Sequence, residues 1–183
     1  MSDLTTLNST LSEIEQLRAE GKKNQIIQKQ YSDMIFLLDC SISMGGMLHN
    51  GQTSIDNLVE AVNRLKIPHD KCVSFSSYCY EGVETVTHGG TDLLRAFQHI
   101  ANRKMKEVVV ISDGEPQNPS GCIAYAKKMG IPVHAIFIGN KGYAGEKFLE
   151  DLCRATEGSQ LTVDGTADNL LKGVTLLLEG KKS

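Results

Sequence analysis

Oxygen-bearing side chains follow the first long apolar run of the chain. Met34 to Leu38 are all apolar, Asp39 comes directly after them, and Ser41 and Ser43 follow at alternate positions before two glycines. A continuous apolar run of this length is typical of a strand that is buried on both faces. Because such a strand would deliver a carboxylate and two hydroxyls into one loop, the pattern predicts a site for a hard metal cation.

Two further segments carry the same kind of side chain. Thr91 follows Gly89-Gly90 at the predicted start of a helix, and Asp113 follows a second buried run, Val108 to Ile111. In doubly wound sheets, ligands bind outside the carboxyl ends of the strands, so Asp39 and Asp113 are expected at the same edge of the fold. The predicted metal ligands are Asp39, Ser41, Ser43, Thr91 and Asp113.

This ligand set offers oxygen alone, which favours Mg²⁺, with Ca²⁺ or Mn²⁺ as alternatives, over zinc or copper. Two carboxylates balance a divalent ion, and Mg²⁺ keeps waters readily, so one coordination position can stay open to an acidic side chain from outside. Each residue also has a purely local alternative. The serines and Thr91 could satisfy loop or helix-cap backbone groups, and Asp113 before Gly114 could be a turn residue.

The apolar periodicity alternates between strands and helices from Met34 onward, which predicts an α/β fold with a doubly wound, mostly parallel sheet and helices on both faces. Val83–Thr87 alternates between apolar and polar residues and predicts one antiparallel edge strand. The other predicted strands are Met34–Asp39, Cys72–Ser77, Val108–Ile111, Val133–Ile138 and Gln160–Val163. The predicted helices are Ser54–Leu65, Thr91–Asn102, Ser120–Met129, Gly145–Ala155 and a last one capped by Thr166 and ending at Glu179.

The amino-terminal segment predicts an additional amphipathic helix, capped by Ser2 or Asp3, because apolar residues recur at steps of three and four. This helix either docks on its own domain or binds a partner. The polar stretch that follows is typical of a linker. The predicted organisation is therefore a helix and linker over 1–32, a single α/β domain over 33–180 and a tail over 181–183. The periodic apolar residues are Leu4, Leu7, Leu11, Ile14 and Leu17.

Composition excludes several classes of protein. The chain has 183 residues, of which 40% are hydrophobic, and a formal net charge of −3, which argues against nucleic acid as a partner. No apolar run reaches the roughly 18–20 residues of a membrane span, and the first residues lack the pattern of a secretory signal. The five cysteines form no Cys-x-x-Cys pair, so we expect reduced thiols and a cytoplasmic location.

Three segments resemble the site loops of von Willebrand factor type A (VWA) domains, in the same order. They are Asp39 to Ser43, Gly89 to Leu93 and Ser112 to Pro116, and the resemblance extends from Tyr31 to Leu178. It implies a stand-alone intracellular member with a Rossmann-like fold and a complete metal-ion-dependent adhesion site (MIDAS). It also implies metal-dependent binding of other proteins without catalysis. Cys40-Ser41-Ile42 departs from the family, which often has a small residue and a glycine around the central serine.

The predicted function is a small adaptor that captures an Asp or Glu of a partner protein through a bound Mg²⁺. By analogy with intracellular relatives, the partner would be an AAA+ ATPase or a component of a bacterial stress-response or defence system. One alternative is a structural subunit that binds through its amino-terminal helix and has a silent metal site. A phosphatase of the haloacid-dehalogenase type is disfavoured, because that chemistry needs a carboxylic acid at the position of Ser41.

Overall fold

The computed structural model describes residues 31–139 and 142–179, which form a six-stranded sheet with helices on both faces. The predicted amino-terminal helix and the tail at 181–183 lie outside these residues. The strands are β1 (Met34–Asp39), β2 (Cys72–Phe75), β3 (Cys79–Glu81), β4 (Glu107–Ser112), β5 (Val133–Ile138) and β6 (Gln160–Val163). The helices are α1 (Ser54–Leu65), α2 (Leu93–Ile100), α3 (Pro119–Met129), α4 (Ala144–Ala155) and α5 (Ala167–Glu179).

The strand order is β3-β2-β1-β4-β5-β6, with only the β2–β3 pair antiparallel among the described strands. This topology confirms the predicted doubly wound sheet with one antiparallel edge strand. The order reverses at β1 and β4, the two central strands. Leu38 of β1 is paired with Ile111 of β4, so Asp39 and Ser112 end their strands at the same level. The loops that follow β1 and β4 therefore begin side by side at the carboxyl edge of the sheet, where the parallel strands end.

Strand β1 is buried along its whole length because helices cover both faces of the sheet. Phe36 and Leu38 face a layer formed by α1 and α5, whereas Ile35 and Leu37 face the layer formed by α2, α3 and α4. Apolar residues at every position of a strand are what burial on both faces requires. In residues 31–139 and 142–179, no helix is long and apolar enough to span a bilayer.

The prediction of an edge strand at Val83–Thr87 is wrong, because the chain reverses earlier. The amide of Ser76 donates to the carbonyl of Tyr78 (2.8 Å), and this tight turn pairs Cys79 with Phe75. The edge strand is therefore β3, and β2 ends two residues before its predicted end. After Gly82 the chain runs as an irregular loop, which leaves Val86 exposed.

The start of α2 also differs from the sequence prediction. Helix α2 begins at Leu93, and its cap is Asp92, whose carboxylate accepts from the amide of Arg95 (3.1 Å). The alternative that Thr91 is a helix cap is therefore wrong. Helix α5 begins at Ala167, directly after the predicted cap residue Thr166, and the hydroxyl of Thr166 donates to Asp164 (2.9 Å).

Asn57 is a fully buried polar residue that joins α1 to the start of α5. Its Oδ1 accepts from the amide of Ala167 (3.0 Å) and from Nδ2 of Asn50 (2.9 Å), and its own Nδ2 donates to the carbonyl of Thr53 (2.9 Å). These contacts satisfy the first amide of α5 and close the gap between the two helices.

We expect Asn57→Ala to lower the free energy of unfolding by about 2–3 kcal/mol, because buried backbone groups lose their partners. Urea denaturation followed by circular dichroism measures the change. The matched control is Asn63→Ala, since Asn63 is exposed on the same helix and its loss should change stability by less than about 0.5 kcal/mol. Equal stability of the two variants would contradict the assigned role of Asn57.

Candidate metal-binding site

Asp39 ends β1 as a fully buried carboxylate that is held on both oxygens. Its Oδ1 accepts from the amide of Ser41 (2.8 Å), and its Oδ2 accepts from the hydroxyl of Ser112 (2.5 Å). Burial raises the pKa of Asp39 from 3.8 to about 6, and the negative charge of Asp113 acts in the same direction. The carboxylate is therefore oriented but insufficiently compensated for its charged form.

A chain of hydroxyls links the first loop to the third. The hydroxyls of Ser41 and Ser43 lie 3.0 Å apart, and that of Ser43 donates to Oδ1 of Asp113 (2.7 Å). A 3₁₀ turn at Ile42–Gly45 follows Ser41 and turns Ser43 toward the edge of the sheet. Residues 70 positions apart in sequence are thereby in direct contact.

The second loop brings Thr91 to the same place. A Cβ built on Gly114 would lie 3.6 Å from Oγ1 of Thr91 and 3.8 Å from Oγ of Ser43, so the two hydroxyls flank one point beside Asp113. The carbonyl of Thr91 also accepts from the amide of Gln117 (3.0 Å), which ties the second loop to the third. All five residues predicted as ligands therefore converge at the carboxyl edge of β1 and β4.

The glycines before Thr91 allow the second loop to pass close to its neighbours. Gly89 has φ of +48°, and a Cβ there would lie 2.4 Å from Oγ of Ser77. The carbonyl of Gly89 accepts from the amide of Ile42 (3.1 Å), and the amide of Gly90 donates to Ser77 (3.0 Å). This stretch of chain is therefore fixed against both the first loop and the turn after β2.

Sequence reasoning missed Ser112 as a member of the site. It lies one residue before Asp113 at the buried end of β4, and the available signal was a serine directly after the apolar run Val108 to Ile111. Cys40 lies in the core and donates from Sγ to the carbonyl of Phe75 (3.3 Å). Glu115 is exposed, as expected for a charge at the rim of the site.

The two carboxylates of the site lack a positive partner. Neither Asp39 nor Asp113 forms an ion pair within the described part of the chain, and burial also raises the pKa of Asp113. Among the residues that the structure describes, no group of three or more His, Cys, Asp or Glu side chains could hold a metal ion. Two desolvated carboxylates with hydroxyls beside them fit a hard divalent cation.

We expect Ser112→Ala to destabilise the metal-free protein by about 1–2 kcal/mol at pH 7, because the buried Asp39 carboxylate loses one of its two partners. The pKa of Asp39 should also rise further, since the bond from Ser112 lowers it. Urea denaturation over a range of pH measures both effects. Ser120→Ala, at an exposed position, is the control, and a stability profile that matches this control at every pH would refute the assigned contact.

No protein-family model and no curated protein matches the sequence. Among solved structures, the chain is similar to a von Willebrand factor type A protein from Catenulispora acidiphila, with a TM-score of 0.59 and 13% sequence identity. The match covers 80% of this chain and 41% of that one, so the present chain spans less than half the length of its structural neighbour. The likeness shows the fold: a Rossmann-like sheet of the VWA type.

Proposed function

We propose that the chain is a protein-binding module that holds one divalent cation, with Mg²⁺ as the first choice, and captures an acidic side chain of a partner. The observation that supports this proposal most strongly is the convergence of oxygens from three distant loops around two carboxylates that lack a counter-charge. VWA folds are commonly used for protein–protein interaction, which supports an adaptor without catalytic activity.

The proposed ligands have different roles. Asp39 and Asp113 supply negative charge, and the pair balances the charge of a divalent ion. Ser41, Ser43 and Thr91 supply neutral oxygens, so the ligand set repels an incoming carboxylate less than a set of three or four acids would. When bound, the ion supplies an electrophilic coordination position for a carboxylate oxygen of the partner.

Enzymatic alternatives find little support at this site. The position two residues after Asp39 is a serine, which cannot act as the general acid of a haloacid-dehalogenase phosphatase. Burial raises the pKa of Cys40 to about 12, so this neighbouring thiol is not a nucleophile at neutral pH. The structural-subunit alternative rests on the amino-terminal helix that the sequence predicts, and it requires partner binding to be independent of metal.

The biological setting belongs to the same proposal. The unpaired cysteines support a reducing compartment, and we place the protein in the cytoplasm. Its partner would be a protein with an accessible Asp or Glu, such as an AAA+ ATPase or a stress-response or defence component. Neither nucleic acid nor a membrane is expected as a partner.

A pull-down in Mg²⁺ compared with one in EDTA tests the proposal. The Mg²⁺ concentration is 5–10 mM, about tenfold above the dissociation constant of a weak site. The module should retain its partner only with metal, and Asp39→Asn should lose it. Asp70→Asn is the matched control, because Asp70 is exposed just before β2, at the opposite edge of the sheet. Binding that persists in EDTA but disappears when residues 1–20 are deleted would establish the structural-subunit alternative instead.

A further inference from the structure

Large exposed apolar side chains are concentrated around the candidate metal site. In the described residues, six such side chains are 58–70% exposed, and five of them lie in loops or short turns at the carboxyl edge of the sheet. The sixth, Leu176, lies on α5. It is nine residues beyond Ala167, which begins this helix near the same edge of the sheet. We call the five the apolar rim: Ile42, Met47, Tyr78, Val86 and Tyr143.

One side of the apolar rim is formed where the first and second site loops meet. Ile42 directly follows Ser41, and its amide bonds to the carbonyl of Gly89. Val86 precedes the same glycine by three residues, and its segment is held by the bond from the amide of His88 to the carbonyl of Cys40 (2.7 Å). Ile42 and Val86 therefore lie on chain segments that are bonded to the first and second site loops.

The other side of the rim is tied to the second and third loops. Tyr78 adjoins Ser77, which binds the amide of Gly90, and the guanidinium of Arg95 lies 5.5 Å from the centre of the Tyr78 ring. Tyr143 lies two residues before Gly145, and Gly145 packs on the backbone of Gly114. Tyrosines in such positions offer large contact areas at a small cost in side-chain entropy.

We infer that the partner presents its Asp or Glu within a short segment whose flanking residues are large and apolar. This inference rests on the proposed function, because the acid must reach the metal. An acid with polar neighbours would leave Ile42, Val86 and Met47 in water, whereas apolar neighbours would bury them on docking. Arg95 lies beside Tyr78 with its Nε paired to Asp92 (3.5 Å) and its side chain half exposed, so its remaining N–H groups can still donate to the segment.

A displayed peptide library with a central Asp and three randomised residues on each side tests the inference. The full chain is bound to the library in Mg²⁺ and the peptides are eluted with EDTA. We expect Leu, Ile, Val, Phe or Met to be enriched beside the Asp. If the peptides eluted with EDTA had polar flanks, the role of the apolar rim would be overturned but the capture function would stand. The absence of any metal-dependent peptide would overturn both.

Variants of the rim give a second readout on the selected peptide. Ile42→Ser and Tyr143→Ser should each weaken peptide binding about tenfold, because each removes an apolar contact that is buried on docking. Their Mg²⁺ affinity should equal that of the unsubstituted chain, which shows that the site is still folded. Leu176→Ser is the control and should bind peptide normally.

Equal peptide binding by the rim variants and Leu176→Ser would overturn the inference. A dimer in light scattering that Ile42→Ser dissociates would also overturn it, because the rim would then be covered by a second copy of the chain. A monomer throughout, with weakened peptide binding in the rim variants alone, supports it.

Discussion

Replacing Asp39 by asparagine is expected to stabilise the metal-free protein at pH 7 by about 3 kcal/mol and to abolish Mg²⁺ binding. The pKa of Asp39 is raised from 3.8 to about 6, and each unit of difference corresponds to about 1.4 kcal/mol. Asparagine keeps the contacts: its Oδ1 can accept from Ser41, and its Nδ2 can donate to the hydroxyl of Ser112.

The sign of the pH dependence follows from the folded-state pKa being the higher one. Between about pH 4 and pH 6 the folded protein holds a proton on Asp39 that the unfolded chain has lost, so stability falls as the pH rises through this range. Below about pH 3 both states are protonated, and the unsubstituted and Asp39→Asn proteins should unfold with the same free energy.

Urea denaturation in EDTA at about pH 3 and at pH 7 measures this difference. The gap between the two proteins should be near zero at about pH 3 and about 3 kcal/mol at pH 7. Addition of Mg²⁺ at pH 7 should stabilise the unsubstituted protein alone, because the variant lacks the Asp39 carboxylate and keeps only that of Asp113. A less stable Asp39→Asn protein at pH 7 in EDTA would show that the carboxylate is not under electrostatic strain.

Gly145→Ala should lower the affinity for Mg²⁺ about 10–100-fold while the protein still folds. Gly145 lies in the first turn of α4, and a Cβ there would be 2.8 Å from the carbonyl carbon of Gly114 and 3.1 Å from the amide of Glu115. Both atoms belong to the backbone, so the third loop must move and carry Asp113 with it. The accompanying loss of stability should be about 1–3 kcal/mol.

Calorimetric titration of Mg²⁺ into the variant and urea denaturation separate the two effects. The control is Gly173→Ala in the middle of α5, where the nearest atoms to a new Cβ are side-chain carbons of Ile136 and Val163 at 3.4 Å. This control should bind Mg²⁺ with unchanged affinity and gain helix propensity. Unchanged affinity in Gly145→Ala as well would mean that the packing of α4 does not position Asp113.

The sequence predicted the fold and the gathering of the site because both depend on strand ends. Met34–Asp39 and Val133–Ile138 have the bounds expected from their apolar runs, and parallel strands place Asp39 and Asp113 at one edge. The likeness to a solved VWA structure confirms the fold, whereas the metal and the partner remain predictions.

Features that depend on tertiary contacts could not be predicted from the sequence. The pattern of Val83–Thr87 suits a strand, but the turn at Ser76–Tyr78 gives the edge position to β3 instead. Propensity does not distinguish Thr91 from Asp92 as a helix cap, since both types cap well. The contact of Ser112 with Asp39 depends on the register between β1 and β4, which local pattern does not specify.

Calorimetric titration of Mg²⁺ into the full chain at pH 7 tests the central claim most directly, because the claim is that oxygens from three loops hold one cation. We expect a single site that is lost in Asp39→Asn and in Asp113→Asn and weakened in Thr91→Val, with Asp70→Asn unchanged. Failure of Mg²⁺, Ca²⁺ and Mn²⁺ alike to bind, or binding that all three site variants retain, would contradict the account.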